Sequence, residues 1–339
     1  MPILNETTQA LLSVNDNKAI HEPNLAPIIP QKRRSNTAVI FHLYYPELWD
    51  DTLGYLDNLN KDFDFFVSIP ENVIFNQDLI LQKFPNALIY RCTNRGRDIA
   101  SFLRLFSMIT PLGYEYICKI HTKKSLHLNA STEWRTEILN ELLGSDSLVK
   151  SIKQHLNDEN VGIIGPKNHI VSTRYFLGDN QDLINELADR LDLGYSGEYF
   201  NYIAGSMFWF KPSAIAPILR LDLKDTDFPE ESGQKDGTLA HALERIISLL
   251  AMKQGYQIIQ TGTFTGEPHD EYYRFSKFQQ KPLIRMAAWV DRQIPENGWI
   301  NHFLQNLLAS LSILKHQGLK ILIRRTLNKK RPAWKRKKS

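Results

Sequence analysis

The sequence predicts an α/β protein with a mostly parallel β-sheet flanked by helices. From about residue 36 to residue 260, short apolar runs rich in Val, Ile, Phe and Tyr alternate with longer amphipathic segments. Such an alternation is typical of a sheet whose crossover helices cover both faces. In folds of this class, ligands bind beyond the carboxyl ends of the strands, so residues that follow strands are the first candidates for a site.

The individual elements follow from the local patterns. The strand candidates, in chain order, are TAVIFHLYY, FDFFVSIP, NALIYRCT, YEYICKIHTK, VGIIGP, YIAGSMFWF and YQIIQTG. The helical candidates between them are WDDTLGYLDNLN, DIASFLRLFSMI, STEWRTEILNELLG, DSLVKSIKQHLND and DGTLAHALERIISLLAMKQG.

Composition divides the chain into three predicted segments and indicates a soluble globular protein, 42% hydrophobic and 23% charged. We expect a flexible leader over residues 1–35, one α/β domain over residues 36–290, and an amphipathic basic segment over residues 291–339. Cys92 and Cys118 form neither a disulfide framework nor a metal-binding spacing, which favours the cytoplasm. We see no signal peptide pattern and no apolar run long enough to span a membrane.

The charge of the chain is unevenly distributed. The net charge is +4, but 11 of the 41 Lys and Arg residues lie between Lys315 and Ser339, where there is no acidic residue. The rest of the chain therefore carries a net charge of −7. Upstream of this tail, apolar residues recur at helical spacing from Trp299 to Leu314. This pattern predicts a peripheral helix on an anionic membrane surface; the alternative is a docked helix with a solvated tail. An acidic body argues against nucleic-acid binding.

The loop after the third strand candidate is predicted to bind an anion. It reads NRGRD, from Asn94 to Asp98, and connects a strand to a helix. Gly96 permits the turn, and Asp98 is placed to cap the helix. Arg95 and Arg97 add positive charge beside the free N–H groups of the helix start, which favours a diphosphate or nucleotide. The alternative is an ordinary cap with solvated arginines.

A second candidate anion site is the stretch KIHTKKS, which ends the fourth strand candidate. Period-2 alternation separates two sets of side chains, which are Tyr116, Cys118 and Ile120 on one face and Ile117, Lys119, His121 and Lys123 on the other. Lys119 lies inside the strand, where a charge costs several kcal/mol unless it is paired. A solvated strand end accounts for Lys123 and Lys124, but not readily for Lys119 and His121.

The segment DFPEESGQKDGTLAHALERII supplies the candidate carboxylates Glu230, Glu231, Asp236 and Glu244. Asp236 is placed to cap the helix that follows, and a carboxylate there can act as a general base. His241 projects away from the predicted core stripe, toward solvent or a cleft. Gly205 and Ser206, predicted to lie within the strand YIAGSMFWF, indicate a close approach of backbone or ligand. The two Asp-x-Asp strings, at residues 62–64 and 225–227, are weak candidates for metal sites.

Four of these motifs together resemble the rhamnan synthesis protein F family of bacterial polysaccharide glycosyltransferases. They are NRGRDIASFL, YICKIHTKKS, YIAGSMFWFKPSAI and FPEESGQKDGTLAHALERI, in that order within residues 37–262. The resemblance implies a GT-A-like domain and a cytoplasmic enzyme at the inner face of the cell membrane. It also implies transfer of a deoxysugar, typically rhamnose, from a nucleotide-diphosphate donor such as dTDP-rhamnose to a lipid-linked glycan. The alternative is a non-catalytic assembly subunit that keeps the fold.

Residue roles follow from this resemblance and from the motifs. Donor binding is expected of Asn94, Arg95, Gly96, Arg97, Asp98, Lys119, His121, Thr122, Lys123 and Lys124. The acceptor side or its support is expected of Gly205, Ser206, Gln234 and His241. Asp236, with Glu230 as second choice, is the expected base. We expect no cofactor and no metal, because lysines occupy the strand exit where the GT-A architecture usually has an Asp-x-Asp motif. His269 is a weaker candidate for contact with the diphosphate.

Overall fold

The computed structural model describes residues 32–124, 131–234 and 236–266. The strands of this part of the chain are β1 (Thr37–His42), β2 (Asp64–Pro70), β3 (Leu88–Cys92), β4 (Tyr116–His121), β5 (Val161–Gly165), β6 (Ile170–Ser172), β7 (Asn201–Ile203), β8 (Phe208–Phe210) and β9 (Gln257–Gln260). The helices are α1 (Trp49–Asp57), α2 (Asp78–Lys83), α3 (Arg97–Ile109), α4 (Ser131–Leu143), α5 (Asp146–Leu156), α6 (Thr173–Phe176), α7 (Gln181–Arg190), α8 (Pro212–Ile215) and α9 (Leu239–Lys253). Short 3-10 turns lie at Pro46–Leu48, Thr110–Leu112, Ala216–Leu221 and Asp225–Asp227.

A seven-stranded sheet in the order β3-β2-β1-β4-β8-β5-β9 forms the centre of the fold. The strands β3, β2, β1 and β4 pair in parallel, and so do β5 and β9. Between these two groups, β8 pairs antiparallel with both β4 and β5. A small separate sheet joins β6 and β7. The predicted α/β class with a mostly parallel sheet is therefore confirmed.

Helices cover both faces of the central sheet, as predicted. One apolar layer lies beneath α3, α7 and α9, and the other lies beneath α1, α4 and α5. Strand β4 contributes to both layers, because Ile117 packs in the first while Cys118 and Ile120 pack in the second. The alternation read from the sequence is thus correct, and it places Lys119 on the face covered by α3.

The prediction of one continuous strand over YIAGSMFWF is wrong. This stretch forms β7 and β8, which belong to different sheets. Gly205 and Ser206 lie between them with φ angles of +92° and +57°. A strand cannot contain two consecutive residues in the left-handed region, so the chain turns here and reverses direction. Both residues therefore lie at the amino end of β8, not in mid-strand.

The described residues include no helix that is both long and apolar enough to cross a membrane. Residues 1–31 and 267–339 lie outside the described part, and so do Ser125 and His269. The predictions for the leader, the domain boundary at residue 290 and the basic segment over residues 291–339 therefore stay predictions.

Candidate functional site

Polar side chains converge at the carboxyl edge of the parallel strands. Strands β1 and β4 end side by side there, with His42 opposite His121 in the register. The start of α3 and the start of α9 reach the same edge. Because β8 runs in the opposite direction, its amino end also lies at this edge, preceded by Gly205 and Ser206. The fold therefore brings the four sequence motifs to one place.

Lys119 is buried at the centre of this cluster, with 2% of its side chain exposed. Its Nζ lies 2.5 Å from Asp98 Oδ2, and it donates to the backbone oxygen (2.6 Å) and the hydroxyl oxygen (2.9 Å) of Ser206. An ammonium group has three N–H donors. All three donors of Lys119 are therefore used to connect β4, α3 and the turn before β8.

The charges next to Lys119 are arranged as a buried ion pair with neutral histidines. Burial opposes ionisation of Asp98, but His121 and the donating ammonium of Lys119 hold the pKa of this carboxyl well below its usual range. Burial lowers the pKa of His121 well below its ordinary value, although Asp98, at 3.5 Å from its Nδ1, opposes the shift. Near neutral pH, Asp98 is therefore an anion and His121 is uncharged.

His42 occupies the end of β1 beside this ion pair and is also neutral. Its Nδ1 lies 2.9 Å from the hydroxyl oxygen of Ser68 and 2.9 Å from that of Ser101. Burial lowers the pKa of His42 to about 4, against the opposing effect of Asp98. His42 thus supplies polar contacts to the floor of the site without adding positive charge.

Thr122 and Lys124 shape the outer wall. The hydroxyl oxygen of Thr122 accepts hydrogen bonds from the backbone N–H groups of Tyr44 and Tyr45, at 2.8 and 2.9 Å. Lys124 pairs with Glu47 and lies 5.3 Å from the ring centroid of Tyr45. These contacts join the segment after β4 to the segment after β1, and they position both tyrosines at the edge of the sheet.

Lys123 is placed differently from the other two lysines. It is half-buried, and its Nζ lies 4.5 Å from the ring centroid of Trp134, within cation–π range. Burial lowers the pKa of Lys123, while Glu244 and Asp98 oppose the shift. Within residues 32–124, 131–234 and 236–266, Lys123 Nζ has no hydrogen-bonding acceptor and no ion pair within 4 Å. Among the three lysines, Lys123 is the one with all of its donors available to a ligand, because Lys119 uses all three and Lys124 pairs with Glu47.

The turn between β3 and α3 is built around Gly96. Its φ is +65°, and a Cβ atom there would lie 2.4 Å from a ring carbon of Phe228. Gly96 is the N-cap of α3, and no side chain caps the helix. The prediction that Asp98 is the N-cap is therefore wrong. Because the helix begins at Arg97, Asp98 lies in its first turn and points its carboxylate at Lys119.

The arginines of this turn hold the segment from residue 228 to residue 241. Arg95 donates to the backbone oxygen of Phe228 (3.0 Å) and pairs with Glu230 (2.6 Å). Arg97 donates to Glu231 (3.2 Å) and to the backbone oxygen of Gln234. Asn94 is half-buried beside them. The structure thus uses these arginines to bring the carboxylate-rich segment over the start of α3.

His241 completes this contact between α3 and α9. Its Nε2 lies 2.9 Å from Arg97 Nη1, and its Nδ1 lies 2.8 Å from Thr238 Oγ1. Burial and then Arg97 lower the pKa of His241 to about 4. A guanidinium only donates, so the neutral ring accepts at Nε2 and donates from Nδ1. His241 thus points at the start of α3 and not into the core, whereas the sequence left solvent and a cleft as alternatives.

Asp236 does not cap α9, contrary to prediction, because the N-cap of this helix is Thr238. The carboxylate of Asp236 instead accepts from Asn180 Nδ2 at 2.7 Å and from the backbone N–H of Asp179 at 3.1 Å. Arg245 Nη2 lies 3.8 Å away. Both carboxylate oxygens are thus engaged with the loop between α6 and α7. Glu230, the second choice, is 83% exposed and paired with Arg95.

The sequence named Glu244 among the candidate carboxylates of this segment but assigned it no role. Its Oε1 accepts from the backbone N–H of Gly205 at 2.9 Å, and its Oε2 lies 3.5 Å from Arg245 Nη1. The carboxylate is 19% exposed. Of the acidic groups that oppose the lowering of the Lys123 pKa, it has the largest effect. The available signal was the helical spacing of Glu244 three residues after His241, which places the two on neighbouring faces of α9.

The described residues contain no group of three His, Cys, Asp or Glu side chains arranged to hold a metal ion. Asp64 lies at the amino end of β2, away from the cluster, and accepts from the hydroxyl of Tyr114 at 2.8 Å. Asp225 accepts from the hydroxyl of Thr93, just after β3, at 2.6 Å. The expectation that the reaction needs no metal therefore stays a prediction.

Comparisons with known proteins give a family and distant relatives. The family model for rhamnan synthesis protein F matches residues 6–256. The uncharacterized protein WxcX of Xanthomonas campestris pv. campestris, from strain B100 and from strain ATCC 33913, is 29% identical over 246 residues. These 246 residues are 71% of this chain and 35% of WxcX, so the match spans about a third of the length of that relative.

The solved structures include a similar one. A mannosyltransferase from Pyrobaculum calidifontis, PcManGT, solved in complex with GDP-Man and Mn2+, superposes with a TM-score of 0.38 at 14% sequence identity. The superposition covers 95% of this chain and 87% of that chain.

Proposed function

Because the chain belongs to the rhamnan synthesis protein F family, we propose that it is a glycosyltransferase of cell-surface polysaccharide assembly. It transfers a sugar from a nucleotide-diphosphate donor to a hydroxyl group of a growing glycan. The observation that carries this proposal is the half-buried Lys123, which has donors available to a ligand and lies at the carboxyl edge of the sheet beside several carboxylates. An anion-binding group next to a potential base is what such a transfer requires.

The donor diphosphate binds against the segment after β4 and the start of α3. Lys123 neutralises the charge that develops on the leaving diphosphate, because a charge-assisted hydrogen bond in a partly desolvated site strengthens as that charge grows. Lys119 does not contact the diphosphate in this proposal, because its donors bind Asp98 and Ser206. It positions the residues around Lys123 instead. Asn94, Thr122 and Lys124 line the same edge in this proposal.

The acceptor hydroxyl approaches from the side of α9. Gly205, Ser206, Gln234 and His241 support this side, and a carboxylate there removes the proton; Asp236 and Glu230 are the candidates that the sequence names. With a β-linked deoxysugar donor such as dTDP-rhamnose and an α-linked product, the reaction inverts the anomeric carbon in one displacement. The anomeric configuration of the product, read by NMR, tests this part.

We further propose that the transfer needs no metal, because the strand exit carries Lys123, a cation that can face the diphosphate directly. The enzyme acts on a lipid-linked acceptor at the inner face of the membrane. The support for this location is the basic segment over residues 291–339, which lies outside the described residues. Loss of activity in EDTA that manganese restores would show that the metal-free mechanism is wrong.

The decisive experiment screens nucleotide sugars with the full chain by thermal shift, with and without divalent metal. A ligand that binds only the folded state raises the unfolding temperature, and the stabilisation grows with the logarithm of its concentration relative to its Kd. We expect stabilisation by one class of nucleotide-diphosphate sugar, and release of the nucleoside diphosphate when an acceptor glycan is added.

A matched pair of variants locates the binding in the proposed site. Lys123→Met removes the proposed contact, whereas Lys124→Met removes a neighbouring lysine that is paired with Glu47. Stabilisation that is lost only in Lys123→Met supports the proposal. A chain that no nucleotide sugar stabilises, and that releases no nucleoside diphosphate, is instead the non-catalytic assembly subunit.

A further inference from the structure

Resting on this proposed function, we propose that Glu244 is the general base of the transfer. Its carboxylate lies on α9 at the carboxyl edge of the sheet and is 19% exposed. It is therefore reachable by an acceptor hydroxyl, yet largely removed from water. A general base must lie within hydrogen-bond reach of the hydroxyl that it deprotonates, and this position allows that approach.

The hydrogen bonds of Glu244 leave one carboxylate oxygen available. Oε1 is fixed by the N–H of Gly205 at 2.9 Å, while the contact of Oε2 is a 3.5 Å approach to Arg245 Nη1. The same Nη1 makes a 2.6 Å hydrogen bond to the backbone oxygen of His241, so its donors are directed mainly elsewhere. A general base needs a fixed orientation and a free lone pair, and Glu244 has both.

The two carboxylates named from the sequence are less well placed for this role. Both oxygens of Asp236 accept hydrogen bonds, at 2.7 and 3.1 Å, from the loop between α6 and α7. That geometry suits a tether between two loops. Glu230 is 83% exposed and paired with Arg95 at 2.6 Å. Proton transfer to either of them would first have to break these contacts.

The backbone turn that holds Glu244 is itself held by the buried ion pair. Gly205 presents its N–H to Glu244 only because it and Ser206 adopt φ angles of +92° and +57°. Lys119 fixes this turn through both oxygens of Ser206. Trp134 packs 3.1 Å from where a Cβ of Gly205 would lie, and its ring also contacts Lys123. One set of contacts thus positions both the proposed base, Glu244, and the lysine that binds the diphosphate, Lys123.

In the transfer step, the bond that forms at the anomeric carbon is matched by the bond that breaks. The acceptor O–H gives its proton to Oε2 of Glu244, and the oxygen lone pair forms the new bond to the anomeric carbon. The bond from that carbon to the diphosphate oxygen breaks, and its electron pair leaves with the nucleoside diphosphate. Lys123 donates to the departing oxygen. The charged groups that the described residues place beside Glu244 are Lys123 from the segment after β4 and Arg245 from α9.

The test compares Glu244→Gln with Asp236→Asn in the full chain. Glutamine keeps an oxygen that accepts from Gly205, so the fold is retained while the base is lost. We expect kcat to fall by at least about a hundredfold in Glu244→Gln, with the affinity for the nucleoside diphosphate unchanged. We expect a smaller fall in Asp236→Asn. The decline of kcat toward low pH should disappear from the residual activity of Glu244→Gln, and Glu244→Asp should restore part of the rate.

Each outcome separates the base from the function. A wild-type chain that transfers no sugar refutes the proposed function itself. If the wild type transfers sugar and Glu244→Gln keeps its kcat and its pH profile, only the assignment of Glu244 is wrong. A fall in kcat with weakened nucleotide binding and an unchanged pH profile shows that Glu244 has a structural role, and this also overturns the assignment.

Discussion

Lys119 and Asp98 form a buried ion pair, with Nζ of the lysine 2.5 Å from Oδ2 of the aspartate. Strand β4 and helix α3 are joined by this contact, and the lysine carries it on to the turn before β8. Removing one member of a buried pair leaves an uncompensated charge, which costs about 3–5 kcal/mol. We therefore expect Lys119→Met to lower the free energy of unfolding by this amount, as measured by denaturant titration.

The double variant Lys119→Met/Asp98→Asn serves as the control for the ion pair. Asparagine carries no charge, so the penalty of a lone buried carboxylate disappears, and we expect part of the lost stability to return. Additive effects of the two substitutions would show that the pair is not coupled.

A second prediction concerns the glycine at the start of α3. Gly96→Ala places a methyl group 2.4 Å from the ring of Phe228, in a backbone with φ of +65°. Gly113→Ala is the matched control, because Gly113 has a φ of +70° and no atom within 4 Å of a built Cβ. We expect Gly113→Ala to cost about 1 kcal/mol for the left-handed backbone alone. Gly96→Ala should cost about 1–3 kcal/mol more for overpacking. Equal costs in a thermal unfolding assay would contradict the steric account.

The third prediction is a loss of stability in mild acid. Burial lowers the folded-state pKa of His42 and of His169 to about 4, whereas the unfolded chain binds the same protons near pH 6.5. The unfolded state therefore binds more protons between these values, and the free energy of unfolding falls as the pH is lowered from about 6.5 to about 4. Each histidine contributes about 3 kcal/mol over the full window. The low pKa of Asp98 acts in the same direction at still lower pH.

The variant His169→Gln isolates one of these contributions. Between pH 7 and pH 5, one such histidine accounts for about 2 kcal/mol of the change in stability. We expect the pH dependence of unfolding in urea to be shallower in the variant by this amount. Identical slopes in the two proteins would mean that His169 does not become protonated on unfolding in this range.

The fourth prediction concerns ligand affinity. In Lys123→Met, the charge-assisted contact to the diphosphate is lost, which is worth about 1.5–3 kcal/mol. We expect the Kd for the nucleoside diphosphate of the donor, measured by calorimetry, to rise about tenfold to a hundredfold. The Kd for the corresponding nucleoside should stay constant. Lys124→Met, with its lysine already paired to Glu47, should change both values little, and equal effects of the two variants would refute the distinction between these lysines.

The fold class and the position of the site could be predicted from the sequence, because both follow from local patterns. Period-2 alternation put Lys119 and His121 on one face of β4, and the motifs at strand ends meet at one edge of any parallel sheet. The partner of Lys119 could not be predicted in the same way. Asp98 is 21 residues away in sequence, and its role depends on how α3 packs across β4.

Both errors in helix capping have the same physical origin. An aspartate just before an amphipathic run is usually an N-cap, but Gly96, in the left-handed region, and Thr238 occupy the N-cap positions here. This frees Asp98 for Lys119 and Asp236 for the loop at Asp179. Likewise, the stretch YIAGSMFWF reads as one strand, and the positive φ angles of Gly205 and Ser206 divide it into β7 and β8. The sequence named Glu244 as a carboxylate of α9, but its proposed role depends on the turn at Gly205, which local patterns did not indicate.

The antiparallel strand β8 has a consequence for how the chain folds and opens. The four strands on one side of it are built from residues 37–121, and the remaining strands come from residue 161 onward. The pairing of β4 with β8 spans the short register from Ile117 to Lys119 and joins segments about 90 residues apart. Such a non-local pairing must close a long loop before its contacts form, so we expect it to form after the pairing of β1 with β2. The proposed catalytic cluster takes residues from both sides of this junction, so it is complete only when the two parts of the sheet have paired.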